Sequence, residues 1–487
     1  MSNTTIYERL VSHAAVRGEK TALVHEDRTL SYAEILTRVA QYRIRLPHDK
    51  PGDIALLLGN DPELLLLFIA AISLGHNVQV LDPQWPPAML AATLDRLRPR
   101  RLIAHPGGLE HPALISPEDL LRMPPGTDRA LVATDPERPF YTGFTSGSSG
   151  EPKGFVRSEH SWLASFAADR EALAFTGDDV FVIPGSFAHS LFLYAALRSL
   201  YAGATGLIFP GFRPDRVVAA IRRWRGSVLY AVPTQIHALV DAAGDTPLDS
   251  LRLVLSSGAK FPRHWHAAVG AAFPGSALHE FYGTSELSYI ALGRVDPQQP
   301  ASRVGRPLPG VAVEILDGER RPLPAGAVGE IFVRSPFMFL GYAAPGGQPS
   351  LAGCSLHGDY LSVGDTGFLD HEGALHLVGR ADRMLLVAGR NIHPEAVETV
   401  LLGAPGVRRA AVLGEPEERR GQRLVAIVES GGLIDPAALR AYCRQHLPAH
   451  SIPQRFYGIV DWPLTASHKT DYPALRARLL AGELSGP

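Results

Sequence analysis

The chain has 487 residues, 46% hydrophobic and 20% charged, which supplies material for large cores and excludes a mostly disordered chain. At roughly 100–200 residues per domain, that length predicts two to four domains. With 47 basic and 49 acidic residues the formal net charge is −2, so nothing points to nucleic acid or an anionic membrane surface as partner.

The opening stretch, Met1 to Leu10, lacks a basic start followed by an apolar core and predicts no signal peptide. From Tyr32 to about Val240 short apolar strands alternate with helix-period segments. Ile54–Leu58 predicts a buried strand and Pro62–Leu74 a helix. Within that helix Leu64–Ile72 is the longest apolar run, too short to span a bilayer. Asn77–Leu81 predicts a strand, Met89–Leu97 a helix and Arg101–Ala104 a further strand. A second set follows: strands at Val180–Ile183, Gly206–Phe209 and Ser227–Tyr230, with helices near Leu191–Tyr201 and Pro214–Arg223 between them. Leu253–Ser256 and Ala277–Phe281 continue the series. Continuous apolar strands in a βαβ rhythm predict an α/β fold, with mainly parallel sheets covered by helices.

After about Gly293 the texture changes. Val311–Leu316 and Gly329–Arg334 alternate within a region rich in glycine and proline, predicting a small β-barrel-like antiparallel subdomain. Beyond Arg380 the pattern becomes mixed α+β, with helices at Pro394–Leu402 and Pro436–His446 and strands near Arg409–Leu413 and Leu424–Val428. The expected division is a large domain over 1–380 and a small one over 381–487.

The segment richest in chemistry is Tyr141-Thr-Gly-Phe-Thr-Ser-Gly-Ser-Ser-Gly-Glu-Pro-Lys-Gly154. Thr145, Ser146, Gly147, Ser148, Ser149 and Gly150, followed by Lys153, predict a flexible loop. Glycines let the backbone approach phosphate, N–H and hydroxyl groups satisfy its oxygens, and lysine adds charge. Gly154 after the lysine departs from the GxxxxGK[ST] phosphate loop. Only five of the 47 basic residues are lysine, so a retained lysine suggests a need for a compact ammonium.

This loop resembles the nucleotide-binding signature of the adenylate-forming superfamily, which includes acyl- and aryl-CoA ligases, peptide-synthetase adenylation domains and luciferases. Glu280-Phe-Tyr-Gly-Thr-Ser-Glu286 is similar to the family's aromatic-Gly-Thr-x-Glu motif. Gly329–Ser335, Val363-Gly-Asp-Thr-Gly-Phe-Leu-Asp370, Leu377-Val-Gly-Arg-Ala-Asp382, Asn391–Glu395 and Pro463–Asp471 follow in family order.

The resemblance implies a first step in which a carboxylate attacks the α-phosphate of ATP, giving an acyl-adenylate and pyrophosphate. Two anions must meet, so charge neutralisation and positioning dominate. It further implies that Thr145 to Gly150 and Lys153 hold the β- and γ-phosphates. Tyr282 and Gly283 would lie at the adenine, with the backbone of Gly258, Ala259 and Lys260 on its other side. Thr284 would sit near the α-phosphate and Glu286 would hold Mg²⁺, a cation that prefers oxygen ligands. Asp365 would accept from both ribose hydroxyls, with Arg380 beside it.

By the same resemblance Lys469 is the catalytic cation bridging carboxylate and α-phosphate, and Asp382 the hinge about which the small domain turns before a thiol attacks. His468 stands where the family usually has glycine.

Phe187, Ala188 and His189 occupy the family's acid-pocket motif. Amino-acid activators place an aspartate where this chain has Ala188, and a buried ammonium without a counter-charge is costly. A non-amino carboxylic acid with an apolar tail or ring is therefore expected. No carrier domain is expected after Lys469, so the expected acceptor is CoA or the arm of a free carrier protein; a non-catalytic ATP- or acyl-binding module is the reading from another class. Two cysteines, Cys354 and Cys443, provide no disulfide framework, so a reducing cytoplasm is the expected compartment.

Overall fold

A computed structural model describes residues 4–47, 49–107, 110–126, 135, 138–146, 152–344, 348–380, 383–387, 390–417, 421–431, 435–465 and 470–484. Asp61 starts the apolar helix Pro62–Ser73, its carboxylate accepting from the Glu63 N–H at 2.8 Å. Every residue from Leu64 to Ser73 is buried, so this run is a core helix. Ser31 and Glu34 form a capping box at the head of Tyr32–Arg43, as Thr5 and Glu8 do for Ile6–Arg17.

Two sheets carry the large N-terminal domain. The first contains six parallel strands in the order Ala277–Thr284, Leu253–Ser256, Val228–Ala231, Val180–Ile183, Thr205–Ile208 and Thr21–His25. The expected antiparallel region joins this sheet edge-on through Ser288–Arg294 and Arg303–Pro307, then Leu375–Arg380, Asp365–Leu369 and Gly329–Arg334. In the second sheet Arg101–Ala104, Asp53–Leu57, Asn77–Val80 and Pro139–Ser146 run parallel. One core gathers Ile54, Leu56, Val78 and Tyr141 from this sheet with Phe181, Tyr230 and Leu255 from the first. On the other face of the first sheet, Val182, Leu229 and Val254 pack under the helices Pro214–Trp224 and Pro233–Ala243.

The expected flexible loop at Thr145–Gly154 is shorter than the sequence suggests. Pro139–Ser146 and Pro152–Ser158 are antiparallel strands, with Thr145 opposite Lys153 and Ser146 opposite Pro152. Phe144 and Phe155 are buried on this hairpin, and their burial carries the pairing into the polar segment. Residues 147–151 lie outside the described residues.

In the small C-terminal domain Val407–Glu417 and Gly421–Ser430 pair antiparallel, and Arg455–Gly458 adds parallel to the latter. Pro394–Leu402 and Pro436–His446 cover one face, and Tyr472–Ala481 the other. Among the described residues no helix is long and apolar enough to cross a membrane.

Candidate active site

Parallel α/β sheets bind ligands beyond the carboxyl ends of their strands. Those ends here carry Gly185–His189 after Val180–Ile183, Ser257–Lys260 after Leu253–Ser256, and Tyr282–Glu286 at the end of Ala277–Thr284. The first loop is pinned by Asn60, which the sequence reading missed. Its side-chain amide donates to the carbonyls of Gly185 (2.9 Å) and Phe209 (2.8 Å), while its oxygen accepts from the Phe187 N–H at 2.8 Å. The position of Asn60 ahead of the Asp61 cap is a turn signal in sequence, and its reach to Phe187 is visible only in the fold.

Tyr282, Asp365 and Arg380 converge across the junction between parallel and antiparallel strands. The Tyr282 hydroxyl donates to Asp365 Oδ2, and Arg380 Nε lies 4.0 Å from Oδ1. Asp365 and Arg380 face each other in paired strands. Burial, reinforced by the Asp365 carboxylate, holds the Tyr282 phenol well above its ordinary range, so it stays a donor.

After the neighbouring strand Leu253–Ser256, Gly258 has φ +84°, a conformation that favours glycine, and Gly258 and Ala259 are exposed. The Lys260 side chain does not point at a ligand. Its ammonium donates to the carbonyls of Ala301 (2.8 Å) and Leu377 (3.1 Å), and burial lowers its pKa to about 8 despite Glu280. Glu280 in turn accepts from the Phe261 N–H (2.9 Å) and pairs with Arg263 (3.1 Å). This charge cluster ties the turn to the scaffold.

Thr284 accepts from the Leu287 N–H at 3.1 Å, closing the turn that carries Glu286. A Cβ at Gly283 would meet the Ser288 carbonyl oxygen at 2.2 Å, so only glycine permits this close strand return. Glu286 Oε1 accepts from the Tyr342 hydroxyl at 2.9 Å, and Oε2 takes no hydrogen bond from any described residue. A carboxylate with one oxygen uncommitted suits Mg²⁺, which binds one or two carboxylates and completes its shell with phosphate and water.

Lys153, exposed at the head of its strand, holds its ammonium 3.2 Å from the centroid of the Tyr342 ring. Arg157, buried four residues on, donates to the carbonyls of Ser285 (3.1 Å) and Phe337. Burial lowers its pKa to about 10, which leaves it charged at neutral pH.

Phe187 and Ala188 are buried, and His189 is half-buried at the head of Ser190–Ala202. Behind this loop stands an aromatic wall: Tyr230 stacks on Phe181, and Tyr289 packs against Tyr194 and Phe281. A carboxylate does reach the wall. Asp169 accepts from Tyr194 (2.9 Å), but it is already paired with buried Arg198 at 2.8 Å.

The structure thus brings together Thr145, Lys153, Tyr282, Gly283, Thr284, Glu286, Asp365 and Arg380, with Gly258–Lys260 and Phe187–His189 at neighbouring strand ends. Gly147, Ser148, Ser149, Gly150, Asp382 and Lys469 lie outside the described residues, and of Ser146 only its place in the strand is described. Arg157 and Tyr342 gave no sequence signal.

The model of the AMP-binding enzyme family matches residues 10–343, and that of the AMP-binding enzyme C-terminal domain matches 396–469. The chain is 32% identical over 482 residues to YhfT of Bacillus subtilis, an uncharacterized acyl–CoA ligase, covering 96% of both. Among solved structures, the o-succinylbenzoate CoA synthetase MenE of Bacillus subtilis, held with its acyl-adenylate, superposes with TM-score 0.85 at 24% identity. That match covers 96% of this chain and 97% of MenE, and bears on the fold alone. The amide bond synthetase McbA of Marinactinospora thermotolerans is 27% identical, with TM-score 0.81 over 97% of this chain and 99% of its own.

Proposed function

This chain belongs to the AMP-binding enzyme family, and on that premise we propose that it activates a non-amino carboxylic acid with ATP and passes the acyl group to CoA. The class, an AMP-forming ligase joining an acid to a thiol, follows from family membership together with the likeness to YhfT. In the first step a carboxylate oxygen attacks the α-phosphorus and the bond to the bridging oxygen breaks, releasing pyrophosphate. In the second the CoA sulfur attacks the acyl carbonyl, AMP leaves and the thiol proton passes to solvent.

The observation that carries this reading is that Lys153 from the hairpin of the second sheet and Asp365 from the antiparallel strands meet the segment Tyr282–Glu286 at the carboxyl end of Ala277–Thr284, through Tyr342 and Tyr282 respectively. Lys153 and the segment Thr145–Gly150 would cradle the terminal phosphates, and Thr284 would meet the α-phosphate. The adenine would lie between Tyr282–Gly283 and the backbone of Gly258–Lys260, and Asp365 with Arg380 would hold the ribose. Glu286 would hold Mg²⁺, which supplies charge neutralisation to the phosphates. Lys469 would bridge the two reacting anions.

We place the domain boundary at 380/381 with Asp382 as hinge. Arg380 is tied to Asp365 and to the Val363 carbonyl. Arg383 is tied instead to Glu395 (3.0 Å), Glu398 (2.7 Å) and the Tyr472 ring. The change of side-chain partners between Arg380 and Arg383 supports this boundary. Both cysteines are free thiols, which supports a reducing cytoplasm.

The Asp169–Arg198 pairing supports exclusion of α-amino acids, since the carboxylate at the aromatic wall already has its cation. The test is pyrophosphate release with 3-phenylpropanoate against phenylalanine, and octanoate against 2-aminooctanoate. An uncompensated ammonium costs several kcal/mol, and about 2.7 kcal/mol already gives a preference of roughly 10²-fold in kcat/KM. Faster turnover of the amino acid, or acyl transfer to a carrier protein but not CoA, refutes the reading.

A further inference from the structure

The segment from Phe337 to Tyr342 crosses the site as a strap. Gly341 and Tyr342 pair with Val156 and Phe155, so the strap is an edge strand on the hairpin that carries Lys153. Its other side is bound to the Glu286 turn. The Phe339 N–H donates to the Glu286 carbonyl at 2.8 Å, and Arg157 bridges the carbonyls of Ser285 and Phe337. Tyr342 stands where strap, hairpin and turn meet.

Lys153 and Glu286 carry opposite charges around this one side chain. Left to themselves, an ammonium and a carboxylate this close attract and pair directly. The ring face of Tyr342 takes the ammonium and its hydroxyl takes the carboxylate. The hydroxyl engages one carboxylate oxygen, Oε1, and leaves Oε2 for the metal.

We propose that Tyr342 is a positioning residue that keeps the Lys153 ammonium and the Glu286 carboxylate adjacent but unpaired, ready for the phosphates and the metal. This rests on the ATP-site reading of Lys153 and Glu286 given above. Tyr342→Phe keeps the ring and removes the donor; Tyr342→Leu removes both.

The experiment measures MgATP binding by calorimetry and Mn²⁺ binding by electron paramagnetic resonance, alongside pyrophosphate release titrated with Mg²⁺. For Tyr342→Phe the half-saturating Mg²⁺ rises about tenfold, as for loss of one hydrogen bond to a charged group, while the ATP dissociation constant moves less than about threefold. For Tyr342→Leu both rise, and kcat at saturating MgATP stays within about threefold of wild type. In a Glu286→Gln background the Tyr342→Phe effect on Mg²⁺ disappears, because it acts through that carboxylate. Wild-type constants in both variants overturn the proposal. So does an equal fall in kcat for both with unmoved binding. Absence of MgATP binding in the wild-type protein refutes the site reading itself, a result distinct from either.

Discussion

Replacing Asp365 with alanine removes the carboxylate proposed to hold the ribose. In the free protein Oδ2 accepts from Tyr282, and Oδ1 lies 4.0 Å from Arg380 Nε. A carboxylate has about four acceptor positions, so two ribose hydroxyls can be added without displacing Tyr282. Each hydrogen bond to a charged group contributes about 1.5–3 kcal/mol, and two together about 3–6 kcal/mol. At about 1.4 kcal/mol per decade this is a loss of roughly 10²–10⁴ in kcat/KM for ATP. Loss of the Tyr282 acceptor also loosens the site, so ATP alone does not isolate the ribose contacts. The assay therefore compares ATP with 2′,3′-dideoxy-ATP in both proteins. Wild type penalises the dideoxy nucleotide by the full factor, and Asp365→Ala penalises it less than about tenfold, since general loosening cancels in the ratio. An unchanged penalty in Asp365→Ala refutes the assignment.

Lys469→Ala lowers acid-dependent adenylation by about 10²-fold or more, as for removal of a transition-state cation, and slows thioester formation from supplied acyl-adenylate far less. Equal loss in both half-reactions contradicts the role. Asp169→Asn strands the buried Arg198 guanidinium and costs about 3–5 kcal/mol, read from the urea midpoint, whereas an unchanged midpoint means the pair is not structural. Glu159 accepts from the Ile6 N–H at 2.8 Å, and burial raises its pKa from the ordinary 4.5 to about 7. Its neutral form is favoured in the fold, so its contribution is full below pH 4.5 and is lost as pH rises through 7. Glu159→Gln therefore gains Tm relative to wild type as pH rises across that window; a difference flat with pH disproves the linkage.

The strands at the centre of the parallel sheet were legible because they are buried on both faces and read as continuous apolar runs, as at Val180–Ile183 and Leu253–Ser256. The helix Glu159–Leu173 is not legible in the sequence because its buried face includes Ser161, Ser165 and Asp169, which interrupt the apolar period. The hairpin around Lys153 looks like a loop in the sequence because its glycines and hydroxyl residues hide a pairing that buried Phe144 and Phe155 enforce. Among the candidate site residues, Lys153, Tyr282, Thr284, Glu286 and Asp365 stand in motifs legible in the sequence. Arg157, Tyr342 and Asn60 act through contacts spanning 180, 56 and 127 positions, which no local pattern encodes. Lys260 shows the converse, since its lysine stands inside a motif but its ammonium serves two backbone carbonyls of the scaffold.

The central claim is that a carboxylate oxygen attacks the α-phosphate of ATP. Supplying the best substrate acid with both carboxylate oxygens as ¹⁸O, together with ATP, Mg²⁺ and CoA, tests it directly by mass spectrometry of the products. The account predicts one ¹⁸O in AMP, none in pyrophosphate, and one retained in the acyl-CoA. Label in orthophosphate accompanied by ADP would mean attack at the γ-phosphate, and would contradict it.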